Sequence, residues 1–253
     1  MSARIQAALN GARPRGFHPA LPLTPADLAR AAQLCEAAGA VALHVHPRDA
    51  AGPESLDPAV IGAAIRAVRG ASALPVSVST GGWIAPDAAR RAAIAGWAGL
   101  GEARPDEASV NLAEADAPAV IEGLLAAGIG VEAGLATEQD AERLIGLGVA
   151  PRCRRILVEL DDLEPAIALA RAEAILARLD AAGIAIERQL HGSDRSVWPC
   201  FDRAMEHGLM TRLGLEDGAL LPGGAVAPDN AALIASGLLR AAERADRGTA
   251  PRR

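Results

Sequence analysis

The sequence contains no lysine and no tyrosine, and all 25 of its basic residues are arginine. A Schiff-base aldolase, a pyridoxal-phosphate enzyme and a Walker-type phosphate loop each depend on a lysine, so all three are excluded. Any carbanion chemistry must draw on a metal or another electrophile. Aromatics are also scarce, with two Phe and three Trp. That leaves little material for a protein-docking hot spot or for stacking nucleic-acid bases. The net charge is −6, the acids are dispersed, and the one loose basic cluster runs from Arg244 to Arg253. It reads as a frayed tail from about residue 246, and no nucleic-acid partner is expected. The three cysteines, Cys35, Cys153 and Cys200, are far apart and odd in number. With no secretory segment in evidence, they are expected to be reduced thiols of a cytoplasmic protein, with Cys35 in the core. Apolar runs never reach about 18 residues without a charge, so no membrane span is expected.

About half of the 253 residues are apolar, chiefly Ala, Leu, Val and Ile. Short β-type runs near residues 4–10, 41–46, 74–79, 107–112, 130–135, 154–160, 186–191 and 210–216 alternate with Ala-rich helical segments. Helix starts are signalled at Thr24-Pro25, Asp57-Pro58, Ala85-Pro86, Thr137-Glu138 and Pro228-Asp229, because proline in the first turn forfeits no helical hydrogen bond. Gly39, Gly70, Gly128, Gly148 and Gly183 punctuate the returns. Eight such units in this length predict an α/β fold, a single (β/α)8 TIM barrel forming one catalytic domain over residues 1–253. A doubly wound sheet would carry a glycine-rich fingerprint after its first strand, and Asn10-Gly11-Ala12-Arg13 is not one.

Barrel active sites lie at the C-terminal ends of the strands, and polar residues gather there. His44 and His46, two apart on one strand, project to the same side. They can share a metal, with Glu216 as the natural third ligand and a position left open. Without a metal they would be two hydrogen-bonded mouth histidines. The glycines of Ser79-Thr80-Gly81-Gly82 can offer backbone N–H groups to an anion, or simply turn the chain. Arg212 and Asp217 flank Glu216, and an arginine beside a carboxylate can hold a base or form a structural ion pair. His191, ending the seventh strand, is a further ligand or a substrate contact; His18 and His207 read as structural or surface residues.

Taken together, Leu9-Asn10-Gly11-Ala12-Arg13, Pro22-Leu23-Thr24-Pro25, His44-Val45-His46-Pro47-Arg48-Asp49, Ser79-Thr80-Gly81-Gly82, Gly214-Leu215-Glu216-Asp217 and Asp229-Asn230-Ala231 resemble the β-keto acid cleavage enzymes, founded on 3-keto-5-aminohexanoate cleavage. The resemblance implies a cytoplasmic homotetramer with one Zn2+ per chain, acting on a small-molecule β-keto acid and acetyl-CoA to give acetoacetate and a new acyl-CoA. It implies His44, His46 and Glu216 as ligands and Asp217 as base, assisted by Arg212 and drawing its proton from the acetyl group. Ser79 and Gly82 would hold the substrate carboxylate, with Asn111 nearby.

Family members acting on amino-keto acids carry Glu where this chain has Arg13. A guanidinium there favours an anionic far end, such as a β-keto dicarboxylate, unless Arg13 turns away to an acid such as Asp49. The roles of His191 and Glu132 stay open. Two other readings are a metal-dependent barrel hydrolase, which would place HxH on strand one and need further ligands, and a non-catalytic zinc or ligand-binding barrel.

Overall fold

The computed structural model describes residues 3–249. Eight parallel strands, β1 (Ile5–Ala8), β2 (Ala42–Val45), β3 (Val76–Ser79), β4 (Glu107–Asn111), β5 (Gly130–Leu135), β6 (Arg155–Leu160), β7 (Arg188–Gly192) and β8 (Met210–Leu213), close into a barrel in sequence order. They alternate with α1 (Pro25–Ala37), α2 (Pro58–Arg69), α3 (Asp87–Gly96), α4 (Ala117–Ala126), α5 (Glu138–Leu147), α6 (Pro165–Ala181), α7 (Val197–His207) and α8 (Asn230–Thr249). This is a single (β/α)8 TIM barrel. No helix among the described residues is long and apolar enough to cross a membrane.

The local signals act as the sequence suggests. Thr24 and Asp27 cap α1 reciprocally, as Thr137 and Asp140 cap α5, and Asp57 caps α2 through Ala59 N. Pro86, by contrast, is the residue before α3 rather than its first turn. Gly148 ends α5 with φ 65°, a left-handed conformation that favours glycine, whereas Gly70 keeps a helical φ of −69°. Cys35, Cys153 and Cys200 are free and buried. Near the chain's end, Arg244 of α8 pairs with Asp202 and Glu206 of α7. The remainder of the expected tail, beyond 249, lies outside the described residues.

The strands bury aliphatic residues such as Ile5, Leu43, Val76, Val78, Ile156 and Leu213 beneath the helices. Their alternate residues point into the barrel, where a packed aliphatic interior is usual. Here much of it is polar. Gln6 Nε2 donates to Glu132 Oε1 (3.0 Å), Gln189 Nε2 donates to Gln6 Oε1 (2.8 Å) and Arg155 Nη2 donates to Glu107 Oε2 (2.6 Å). Ser77 completes this chain by donating to Glu132 from the mouth side. Buried polar groups must be paired in this way, since each unpaired group forfeits its hydration.

A second buried charge lies outside the barrel wall. Arg90 on α3 is fully buried, donates to Thr80 O (3.1 Å), and pairs with Glu114 and Asp116. Removing one member of a buried ion pair strands the others. Arg90→Met is therefore expected to cost about 3–5 kcal/mol of stability, read as a fall in Tm and in the denaturation midpoint. A loss below about 1 kcal/mol, the range of an exposed pair, would show that solvent reaches the two carboxylates.

Candidate metal centre and active site

His44 lies on β2 and His46 just past its end, on the same side by strand alternation. β8 stops at Leu213, so Glu216 and Asp217 stand on the turn beyond it rather than on the strand. That turn is tight: Asp217 N and Gly218 N both bond Gly214 O. Two asparagines of the sequence motifs fix these backbones. Asn10 clamps His46 by donating to its carbonyl and accepting from its N–H, each at 2.9 Å. Asn230 accepts from Leu215 N (2.8 Å) and donates to Leu9 O (3.0 Å), tying the Glu216 turn to the end of β1.

The result is a compact donor set. His44 Nε2 and His46 Nε2 are 3.1 Å apart, and Glu216 Oε1 lies 3.3 Å from the latter and 3.8 Å from the former. Three atoms each about 2 Å from one ion are separated by roughly these distances. The outer ring nitrogens are engaged elsewhere. Ser77 gives its single hydroxyl proton to Glu132, so it accepts from His44 Nδ1–H at 3.2 Å. His46 Nδ1–H is held by Glu54, whose other oxygen accepts from Trp83 Nε1 at 2.8 Å. Both Nε2 atoms thereby face one gap, which a shared proton or a cation can fill. Glu216 Oε2 is buried with no hydrogen-bond partner among the described residues. His44, His46 and Glu216 therefore fit a metal ion. Neither Glu54 nor Ser77 was legible in the sequence, because neither sits at ligand spacing.

The electrostatics agree. Burial pulls both histidines down; in His46 it is outweighed by Glu216 and Glu54, which raise it to about 9. In His44 burial prevails, reinforced by His46 against the pull of Glu216, and holds it at about 3. The pair is thus built for one positive charge rather than two. Glu216 is held well below the usual carboxylate range, because Arg212, His46 and His44 outweigh its burial.

Arg212 and Asp217 are both buried and form a two-pronged contact, Nε to Oδ2 at 3.1 Å and Nη2 to Oδ1 at 2.5 Å. Arg212 Nη2 also lies 3.3 Å from Glu216 Oε1. Burial pushes Asp217 up to about 7, with Glu216 adding to the rise and Arg212 opposing it. A buried carboxyl beside the metal ligand, poised near neutrality, can accept a proton.

The remaining expected residues divide. Ser79 ends β3, buried, and accepts from Gly81 N at 3.2 Å. Asn111 ends β4, half-buried, with no side-chain hydrogen bond among the described residues. The Gly82 N–H, expected to meet a substrate anion, donates to Glu114 Oε1 at 2.7 Å. Arg13 turns to neither Asp49 nor the open mouth. Its Nε donates to Glu216 O (2.9 Å) and its Nη2 to Asp194 Oδ1 (2.9 Å) and Asp217 O (3.2 Å), with the guanidinium 4.4 Å over the Phe17 ring. His18 is buried against Ala227 O, and His207 pairs with Glu173 on the surface.

Gly11 is set by close approach. Its φ is +55°, and a Cβ there would fall 2.4 Å from Glu216 Cγ. Gly11→Ala is expected to push Glu216 out of line and weaken metal binding by about 10–100-fold, the scale of losing a ligand's support. Competition against a chromogenic chelator measures this. Unchanged affinity would mean that Glu216 does not hold the ion.

The barrel is similar to solved structures of ObcA. The apo form, the binary complex with oxaloacetate, and the ternary complex with a C4-CoA adduct and oxalate are each 18% identical, with TM-scores of 0.72, 0.72 and 0.73. They cover 91% of this chain, which spans 63–65% of theirs. The 3-dehydroquinate dehydratase of Geobacillus kaustophilus HTA426, 14% identical with a TM-score of 0.59, covers 95% of this chain and is itself 92% covered. These likenesses speak for the fold. No curated protein sequence matches the chain. The sequence pattern of the beta-keto acid cleavage enzymes, however, matches residues 3–187 and 168–251. The HxH pair, the Glu216-Asp217 turn and their asparagine clamps thus sit in a chain that belongs to the beta-keto acid cleavage enzyme family.

Proposed function

We propose that the protein condenses a β-keto acid with acetyl-CoA and releases acetoacetate and a new acyl-CoA, with zinc held by His44, His46 and Glu216. The observation that carries this reading is the adjacency of a three-ligand cluster and a buried base, Glu216 and Asp217 being consecutive and both touched by Arg212. Binding alone needs no such base, which disfavours a non-catalytic barrel. A hydrolase is disfavoured because the HxH pair lies at the end of the second strand, His44 on β2 and His46 just past it, and a three-ligand set is complete without a carboxylated lysine. The captured ObcA complexes, with oxaloacetate and a C4-CoA adduct, suit a scaffold of this shape.

When bound, the metal supplies Lewis acidity at the β-carbonyl, acidifying the adjacent methylene. Carbon balance then corrects the origin of the proton. Acetoacetate must keep the acetyl group's methyl and gain the CH2–COO⁻ unit of the keto acid. The hydrogen that Asp217 removes is therefore on C2 of the keto acid, not on acetyl-CoA. The C2 carbanion attacks the thioester carbonyl, forming a C–C bond. The CoA sulfur passes from that carbon to the β-carbonyl carbon. The C2–C3 bond breaks to leave acyl-CoA, and Asp217 returns the proton to C2. Arg212 keeps Asp217 oriented throughout. Ser79 and Asn111 offer hydrogen bonds to the keto-acid carboxylate. The Gly82 amide, bonded to Glu114, supports that loop from behind.

Purified protein with a panel of β-keto acids should form acetoacetate only when acetyl-CoA is present, with about one zinc per chain by elemental analysis. Turnover without acetyl-CoA would indicate a hydrolase, and zinc without any turnover a binding protein.

A further inference from the structure

Two groups at the barrel mouth have no role in the reaction above and no side-chain hydrogen bond among the described residues. Glu159 on β6 and His191 on β7 are paired in register. His191 is 1% exposed, yet neither ring nitrogen makes a hydrogen bond among the described residues. Its Nε2 lies 3.7 Å from Glu159 Oε2 and its Nδ1 3.9 Å from Asp217 Oδ1, both beyond hydrogen-bond reach. The Glu159 side chain, 34% exposed, accepts no hydrogen bond from the described residues. A neutral imidazole carries one donor and one acceptor, and a carboxylate accepts only. Leaving a buried imidazole unpaired is costly unless something else satisfies it.

Most other charged side chains around the mouth are engaged, Arg48 only by the backbone carbonyls of Gly11, Arg13 and Gly52. Arg13 is held by Asp194, Arg212 by Asp217 and Glu216, Glu54 by His46 and Trp83, and Asp162 by Arg195. What remains uncommitted beside His191 is a negative charge, with Asp161 adding to it. We propose that Glu159 and His191 form the subsite for the far end of the β-keto acid, and that it takes a hydrogen-bond-donating end, an ammonium or a hydroxyl, in preference to a second carboxylate. This rests on the β-keto acid reading. The far end gives its N–H or O–H to Glu159, and His191 completes the contact. A carboxylate would meet Glu159 as a like charge. Arg13, already neutralised by Asp194, does not reverse that preference.

The test uses the wild type and Glu159→Gln with β-keto acids of equal chain length ending in ammonium, hydroxyl, methyl or carboxylate, reading acetoacetate. The wild type should prefer a donor-ended acid over the carboxylate by about tenfold or more in kcat/KM, and Glu159→Gln should cut the preferred one by about 10–100-fold, the scale of a charge-assisted hydrogen bond. The methyl-ended acid should be little changed. A larger loss for ammonium identifies a cationic substrate, and a larger loss for hydroxyl a neutral one. A wild-type preference for the carboxylate, or equal losses on all four acids, would overturn the proposal. Calorimetric titration of the same four acids is read alongside. If no acid turns over but binding keeps the donor-ended order, the β-keto acid reading fails and the subsite stands; if binding shows no such order, the subsite fails as well.

Discussion

His46→Ala protein is expected to remain a folded barrel, to lose its metal, and to lose at least about 10^3 in kcat/KM, since polarisation of a carbonyl by a metal is worth several kcal/mol. Folding should survive because the barrel is closed by backbone pairing, and the Asn10 clamp grips the main chain of His46 rather than its ring. Metal should be lost because His46 Nε2 is the donor nearest both of the other two. The measurements are elemental analysis, circular dichroism and steady-state kinetics on one preparation. Full metal occupancy in His46→Ala and also in His44→Ala would remove both histidines from the ligand set.

Asp217→Asn is the second large effect. The substitution keeps the shape of the side chain but removes its capacity to accept a proton. General-base loss typically costs about 10^2–10^4 in rate, and the loss should fall on kcat. Metal content should be unchanged, because Asp217 contacts Arg212 rather than the donor set. That contrast separates the base from the ligands: His46→Ala loses metal and rate together, Asp217→Asn rate alone. Near wild-type turnover would assign the base elsewhere.

The fold was largely legible because its signals are local. Eight apolar runs and the capping residues Thr24, Asp57 and Thr137 each act within a few positions. His44 and His46 were legible for the same reason, two residues apart with strand alternation fixing their direction. Glu216 and Asp217 could be placed at the end of the eighth unit but not on their turn, since the run from 210 to 216 reads as one strand while pairing stops at Leu213. What escaped are groups joined across the chain. His46 meets Glu54 through a loop, Arg90 meets Glu114 and Asp116 across a strand, and Arg13 meets Asp194 from the opposite end of the sequence. The polar residues Gln6, Ser77, Glu132 and Gln189 sit at alternate positions within apolar strands. Their period of two was available, but hydrophobic periodicity reads the outer face and says nothing of a polar interior.

The most direct test follows the methyl hydrogens. Acetyl-CoA carrying a fully deuterated methyl group is incubated with the protein and a turned-over β-keto acid, and the products are read by mass spectrometry. The account predicts acetoacetate that retains all the deuterium in its terminal methyl, alongside an unlabelled acyl-CoA built from the far end of the keto acid. Deuterium lost from the methyl would place the abstracted proton on acetyl-CoA, and label appearing in the new acyl-CoA, or no acetoacetate from any keto acid, would contradict the proposed reaction.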